Sequence, residues 1–99
     1  MFLHLGGNVI VPLNNIIAII DVDSISKSKD SKDFFKLAEK KGFVYKISSK
    51  ETKSYIITER VEKKNKGALK IIKTIIYFSP ISSVTLNKRT GFIDELSEI

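Results

Sequence analysis

The chain has 99 residues, with 17 Lys and Arg against 11 Asp and Glu, a formal net charge of +6, an isoelectric point near 9.6 and a hydrophobic fraction of 42%. That length makes one domain with a modest core, and so little Gly (5) and Pro (2) is globular composition rather than disorder. Having no cysteine excludes disulfides and thiolate metal sites, and apolar runs of about five residues fall far short of the roughly 20 that span a bilayer. No basic segment leads into an apolar signal-like run, so a cytoplasmic protein is expected, without membrane partners. A basic balance favours polyanionic partners, although charge speaks to association rather than identity.

Phe2 to Leu5 reads as a short strand that meets Gly6-Gly7-Asn8, residues that accept positive φ, so a tight hairpin into Val9-Ile10-Val11 is expected. Pro12 closes the second strand, and Leu13-Asn14-Asn15 is a turn. Ile16 to Ile20 carries four isoleucines between turn signals, which favours a buried strand ending at Asp21. Asp21 to Asp30 is Ser, Lys and Asp with single apolar residues, the composition of a loop.

Asp30 or Ser31 is expected to cap a helix running to Lys41, with Gly42 in the stop position. Phe34, Phe35, Leu37 and Ala38 would share its buried face, opposite a ridge of Lys32, Lys36 and Lys40. That ridge is either a solvated helix face or a surface for phosphates. Phe43, Tyr45 and Ile47 alternate with Val44, Lys46 and Ser48 at the period of a half-buried strand.

Two strand-like runs, Lys53 to Glu62 and Lys70 to Phe78, flank Asn65-Lys66-Gly67. A three-residue hairpin loop with Gly67 left-handed would set Glu62 opposite Lys70, Glu59 opposite Lys73, Thr58 opposite Thr74 and Ile57 opposite Ile75. Each such match contributes on the order of 0.2–1 kcal/mol. Ile75 to Phe78 is β-branched or aromatic throughout, the mark of a strand buried on both faces, and Pro80 must stop it at Ser79. Ser79 as cap and Pro80 in a first helical position would start a short helix, carrying Ile81, Val84 and Leu86 inward and ending on Lys88-Arg89 before Gly91. The tail Thr90 to Ile99 is acidic, with Phe92, Ile93 and Leu96 apolar; it would form one helical turn docked on the body or pack on a neighbouring subunit. The fold class expected is α+β: a small antiparallel sheet, a central amphipathic helix, a long hairpin and a short C-terminal helix.

Catalysis finds little support. His4, the one histidine, lies in a predicted strand, no serine or threonine has a base in evident context, and Asp21/Asp23 and Asp94/Glu95 lack further ligands at metal spacing. Gly6-Gly7 lacks both the spacing and the Lys-Ser/Thr ending of a phosphate-cradling loop. No enzyme, cofactor, metal site or small-molecule substrate is therefore expected. What remains is basic chemistry on turns: Lys50 and Lys53 before the hairpin, Lys63, Lys64 and Lys66 at its tip, and Lys88-Arg89 closing the last helix. Such residues contact phosphates and release counterions, while tip lysines also discourage edge-to-edge aggregation.

Several stretches together resemble the small bacterial regulators of extracellular-matrix genes, the RemA/RemB family, and its RemB-type members most closely. They are His4-Leu5-Gly6, Ile16 to Asp21, Lys53-Ser54-Tyr55-Ile56-Ile57-Thr58, Ile76-Tyr77-Phe78-Ser79-Pro80-Ile81-Ser82-Ser83, Thr85-Leu86 and Lys88-Arg89. The resemblance implies a non-enzymatic regulator of biofilm-matrix transcription that binds double-stranded DNA as a homo-oligomer, plausibly a ring. It implies that Lys50 and Lys53 occupy the family's arginine-rich turn, with Lys88 and Arg89 as the next nucleic-acid-binding candidates. Glu51 and Asn15 stand where RemA-type members carry arginine. The competing expectation is a protein-interaction module whose basic surface serves solubility.

Overall fold

The structure, a computed structural model, describes residues 1–64 and 69–91. Its centre is a four-stranded sheet in the order β3-β5-β6-β4, formed by β3 (Ile16–Asp21), β4 (Val44–Lys46), β5 (Ser54–Lys64) and β6 (Leu69–Ser79). β3 and β5 pair antiparallel, as do β5 and β6, whereas β4 runs parallel to β6. The sheet is therefore mixed, because the chain leaves β3 at one edge and crosses on a helix to β4 at the other.

A separate hairpin, β1 (Phe2–Gly6) with β2 (Val9–Pro12), covers one sheet face together with the last helix, α3 (Ser83–Arg89). The turn residues are as the sequence expects: Gly6 and Gly7 sit at φ 118° and 53°. A Cβ on Gly6 would also meet Pro80 Cδ at 3.3 Å, so a close approach adds to the backbone requirement. Leu3, Leu5, Val11, Ile56 and Leu86 form the core on this face, with Ile16, Ile19, Ile47, Tyr77 and Ile81 packed around them.

The helix α2 (Lys29–Lys40) covers the opposite face, where Phe35, Ala38 and Ile76 are buried among Ile20, Val44, Tyr55, Ile57 and Phe78. The Phe35 and Tyr55 rings stack at 4.1 Å with planes 22° apart. Burial there raises the Tyr55 phenol above its ordinary pKa, and Glu39 adds to the shift. β5 and β6 are thus covered on both faces over Ser54–Thr58 and Ile75–Ser79, as the β-branched and aromatic run Ile75–Phe78 predicts for β6.

The structure corrects several expectations. The stretch after Asp21 is not all loop: Asp21 accepts a hydrogen bond from the Asp23 amide at 2.9 Å and caps a single helical turn, α1 (Val22–Ile25). The cap of α2 is Ser28, which accepts from the Ser31 amide at 3.3 Å, so the helix begins earlier than Asp30 or Ser31. Of its expected inner face only Phe35 and Ala38 are buried; Phe34 and Leu37 remain 53% and 51% exposed. A helix lying on a sheet buries a narrower stripe than four residues in five. In β4, Val44 faces the α2 core while Phe43 and Tyr45 are exposed, the reverse of what their size suggests.

The hairpin register is one residue away from the charge-matched one. Glu59 faces Thr74, Arg60 faces Lys73, and Ile57 faces Ile76. The expected left-handed Gly67 lies outside the described residues. At the other end of β6, Ser79 is no helix cap: its hydroxyl donates to Leu5 O at 2.6 Å and accepts from the Ile81 amide at 3.0 Å. Ser82 caps α3 instead, accepting from the Thr85 amide at 3.2 Å, which places Pro80 and Ile81 before the helix and leaves Val84 exposed. The expected docking of the tail from Thr90 rests on residues 92–99, which lie outside the described residues.

Candidate nucleic-acid interface

The turn that carries Lys50 and Lys53 is fastened to the sheet at its C-terminal end. Ser48 Oγ accepts from the Lys50 amide at 3.0 Å, the local bond a serine offers a turn. The Lys53 amide donates to Ser79 O at 2.8 Å, and the Lys53 carbonyl accepts from the Val22 amide at 3.2 Å. Ser54, fully buried, donates from Oγ to Ile81 O at 2.7 Å. The turn is thereby tied to the link that enters α3. Both lysines are exposed; the Lys53 backbone is held by the sheet, that of Lys50 by the local bond to Ser48.

The electrostatics around the two differ. Lys53 lines a shallow depression with Asp21, Asp23, Glu51, Thr52 and Ser82. Three carboxylates and one ammonium thus share its lining, with none of the three paired to Lys53 within 4.0 Å. That depression favours no anion unless the carboxylates are outnumbered by cations nearby. Lys50 lies outside it.

Lys88 and Arg89 close α3 at its other end, about 9 Å from Ser82 at 1.5 Å of rise per residue. Both are exposed, and their charge complements the negative end of the helix dipole. Arg89 is also a structural tie, since its guanidinium donates to His4 O at 3.1 Å. His4 in turn donates from Nε2 to Gly7 O at 2.7 Å, which steadies the β1-β2 turn and gives the histidine a structural role. The structure therefore sets Lys53 near the start of α3 and Lys88 and Arg89 at its end, with Lys50 apart on the preceding turn.

A further basic pair is absent from the charge-matched register. Arg60 and Lys73 face each other across β5 and β6, and Asn15, Ile10, Ile75 and Tyr77 line the same small hollow with them. Like charges directly opposite repel, and Glu62 relieves this by pairing with Arg60 and, at 3.5 Å, with Lys73. Only the true register reveals the pair, because nothing in the separate strand sequences joins residues 60 and 73.

Among the described residues no group of three or more His, Cys, Asp or Glu is placed to hold a metal ion, and no helix is long and apolar enough to cross a membrane. A family model described as RemA-like, Extracellular matrix regulatory protein A-like, matches residues 2–90. No curated protein matches the chain.

Proposed function

We propose that this chain, which belongs to the RemA-like family, is a cytoplasmic, non-enzymatic regulator of extracellular-matrix gene transcription that binds double-stranded DNA as a homo-oligomer. The RemB-type pattern of Tyr77-Phe78-Ser79-Pro80-Ile81-Ser82-Ser83 supports assignment to that branch of the family. The observation that carries the reading is the mounting of Lys50 and Lys53. Both are exposed on a turn whose backbone is bonded to Ser48, Ser79 and Val22, so the charges are presented without ordering a free loop. Lys88 and Arg89 supply a second exposed pair at the end of α3. Contacts of this kind neutralise phosphates and fix position, so preference among duplexes comes from shape more than from base edges. Repetition around a symmetric assembly would multiply contacts that are weak singly.

The test is fluorescence anisotropy of labelled duplexes at two salt concentrations. Replacing Lys50 and Lys53 by alanine should weaken binding to unrelated duplexes about equally. It should also flatten the salt dependence by about one unit of slope for each phosphate no longer neutralised. Glu51→Arg should strengthen binding by removing a carboxylate beside Lys53. Binding by the double alanine variant equal to that of the parent chain would move the surface to Lys88 and Arg89.

A second reading, a protein-interaction module without DNA binding, is favoured by one observation. Asp21, Asp23 and Glu51 line one depression with Lys53. A chain indifferent to DNA at low salt, yet oligomeric, would establish it.

A further inference from the structure

The α2 face of the sheet is incompletely covered. Phe34, Leu37 and Ala38 of α2, Phe43 after it, and Ile72 and Ile76 of β6 line an apolar groove of about 430 Å³, with Lys41 at its rim. Phe34, Leu37 and Ile72 are each more than half exposed, although the opposite face of the sheet is closed over Leu5, Ile56 and Leu86. A contiguous apolar groove of this kind needs an occupant.

The chain itself contains a segment of suitable chemistry. Residues 92–99 place Phe92, Ile93, Leu96 and Ile99 at i, i+1, i+4 and i+7, the spacing of one helix face, with Asp94, Glu95 and Glu98 between them. All 17 Lys and Arg lie before this segment, whereas three of the 11 Asp and Glu lie in it. An apolar stripe flanked by carboxylates matches an apolar groove rimmed by lysine on a basic body. The family match covers residues 2–90 and leaves this segment outside it.

Where the segment starts decides whose groove it fills. α3 packs on β1 and β3, and the Arg89 bond to His4 O holds its end on the face opposite α2. The groove lies on the other face, two strands away on β6. Layers are about 10 Å apart and strands about 4.8 Å apart. A route round the β3 edge is therefore about as long as eight fully extended residues, roughly 28 Å. Such a route leaves no turn of helix to bring the apolar residues together. We infer that residues 92–99 of one copy dock in the Phe34–Leu37–Ile72 groove of a second copy, exchanging tails between subunits. The inference rests on the homo-oligomer reading above and names one of its contacts.

The chain has no cysteine, so full-length Leu37→Cys and Leu96→Cys variants carry the only thiols when mixed and oxidised, and the mixed disulfide is told from either homodisulfide by mass. A disulfide between the two variants is the expected product. Leu96→Cys mixed with Val84→Cys, an exposed site on α3, serves as the control and should link far more slowly. Adding Lys41→Glu to the groove-bearing chain should lower the linkage rate several-fold. Three results would overturn the inference: no linkage above the control, linkage only within a chain carrying both cysteines, or a rate indifferent to Lys41→Glu. Light scattering on the parent chain separates the two levels. An oligomer without the Leu37–Leu96 link removes the tail exchange and keeps the oligomer, whereas a monomer removes both.

Discussion

The long hairpin behaves as two structures joined end to end. Its base, Ser54–Thr58 with Ile75–Ser79, has neighbours on both edges and cover on both faces, and Ser54, Ile56, Ile76 and Ser79 are almost wholly buried. Its outer half passes beyond β3 and β4, and the facing pair Val61 and Ile72 is 58% and 60% exposed. The base contributes burial, at about 25 cal/mol per Å² of apolar surface, while the outer half offers exposed charge pairs. When the two disagree about register, the base decides. Pairing Ile57 with Ile76 and Ser54 with Ser79 satisfies the core, and the outer half accepts Arg60 against Lys73 as the consequence.

The largest expected effect sharpens that contrast. Ile56→Ala should destabilise the chain by about 2–5 kcal/mol in urea unfolding, because a closed core cannot refill the space. Ile72→Ala should cost under about 1 kcal/mol if the outer half stands free. A destabilisation at Ile72 as large as at Ile56, and dependent on protein concentration, would mean that a second copy covers it.

Next comes Ser79→Ala, which strands the Leu5 carbonyl and the Ile81 amide in a buried place and should cost about 1–3 kcal/mol. Smaller still is Glu62→Ala, at about 0.2–1 kcal/mol, since it frees two like charges from their shared partner on an exposed surface. Raising salt should shrink that difference; one that persists at high salt would place the outer half in a drier setting than its exposure indicates.

The last prediction concerns pH. The folded Tyr55 pKa lies above 10.0, so its contribution is intact below pH 10 and declines as pH rises above it, because the unfolded chain ionises first. Tyr55→Phe should remove part of the alkaline fall in stability measured by thermal melts and leave neutral pH little changed.

Apart from α1, the elements and their order are legible because each rests on a local signal: Gly6-Gly7 for the first turn, Ile16 to Ile20 for β3, Pro80 for the end of β6 and Gly42 for the end of α2. What is illegible depends on partners far away in the chain. Ser79 looks like a cap beside Pro80, and only the arrival of Leu5 turns its hydroxyl inward. The parallel pairing of β4 follows from a crossover that no local pattern announces. The register misleads because charge pairs near the tip are conspicuous in sequence, and the two-sided burial that outweighs them is not. In the candidate interface the four basic residues are visible, but the carboxylates brought beside Lys53 from Asp21 and Asp23 are separated from it by about thirty positions.

The bonds from Ser79 to Leu5 O and from Arg89 to His4 O join residues 74 and 85 positions apart. They also set a timetable for synthesis. The β1-β2 hairpin emerges before the rest, yet its inner residues Leu3 and Leu5 pack on Ile56, from the middle of the chain, and on Leu86, thirty residues later. A nascent chain stopped short of Leu86 exposes the apolar side of that hairpin and of β5 with nothing to close them. Folding therefore waits for nearly the whole chain, and such long-range closure is intrinsically slow. Quality control by proteases should discriminate sharply between chains that end before Leu86 and chains that end just after Gly91.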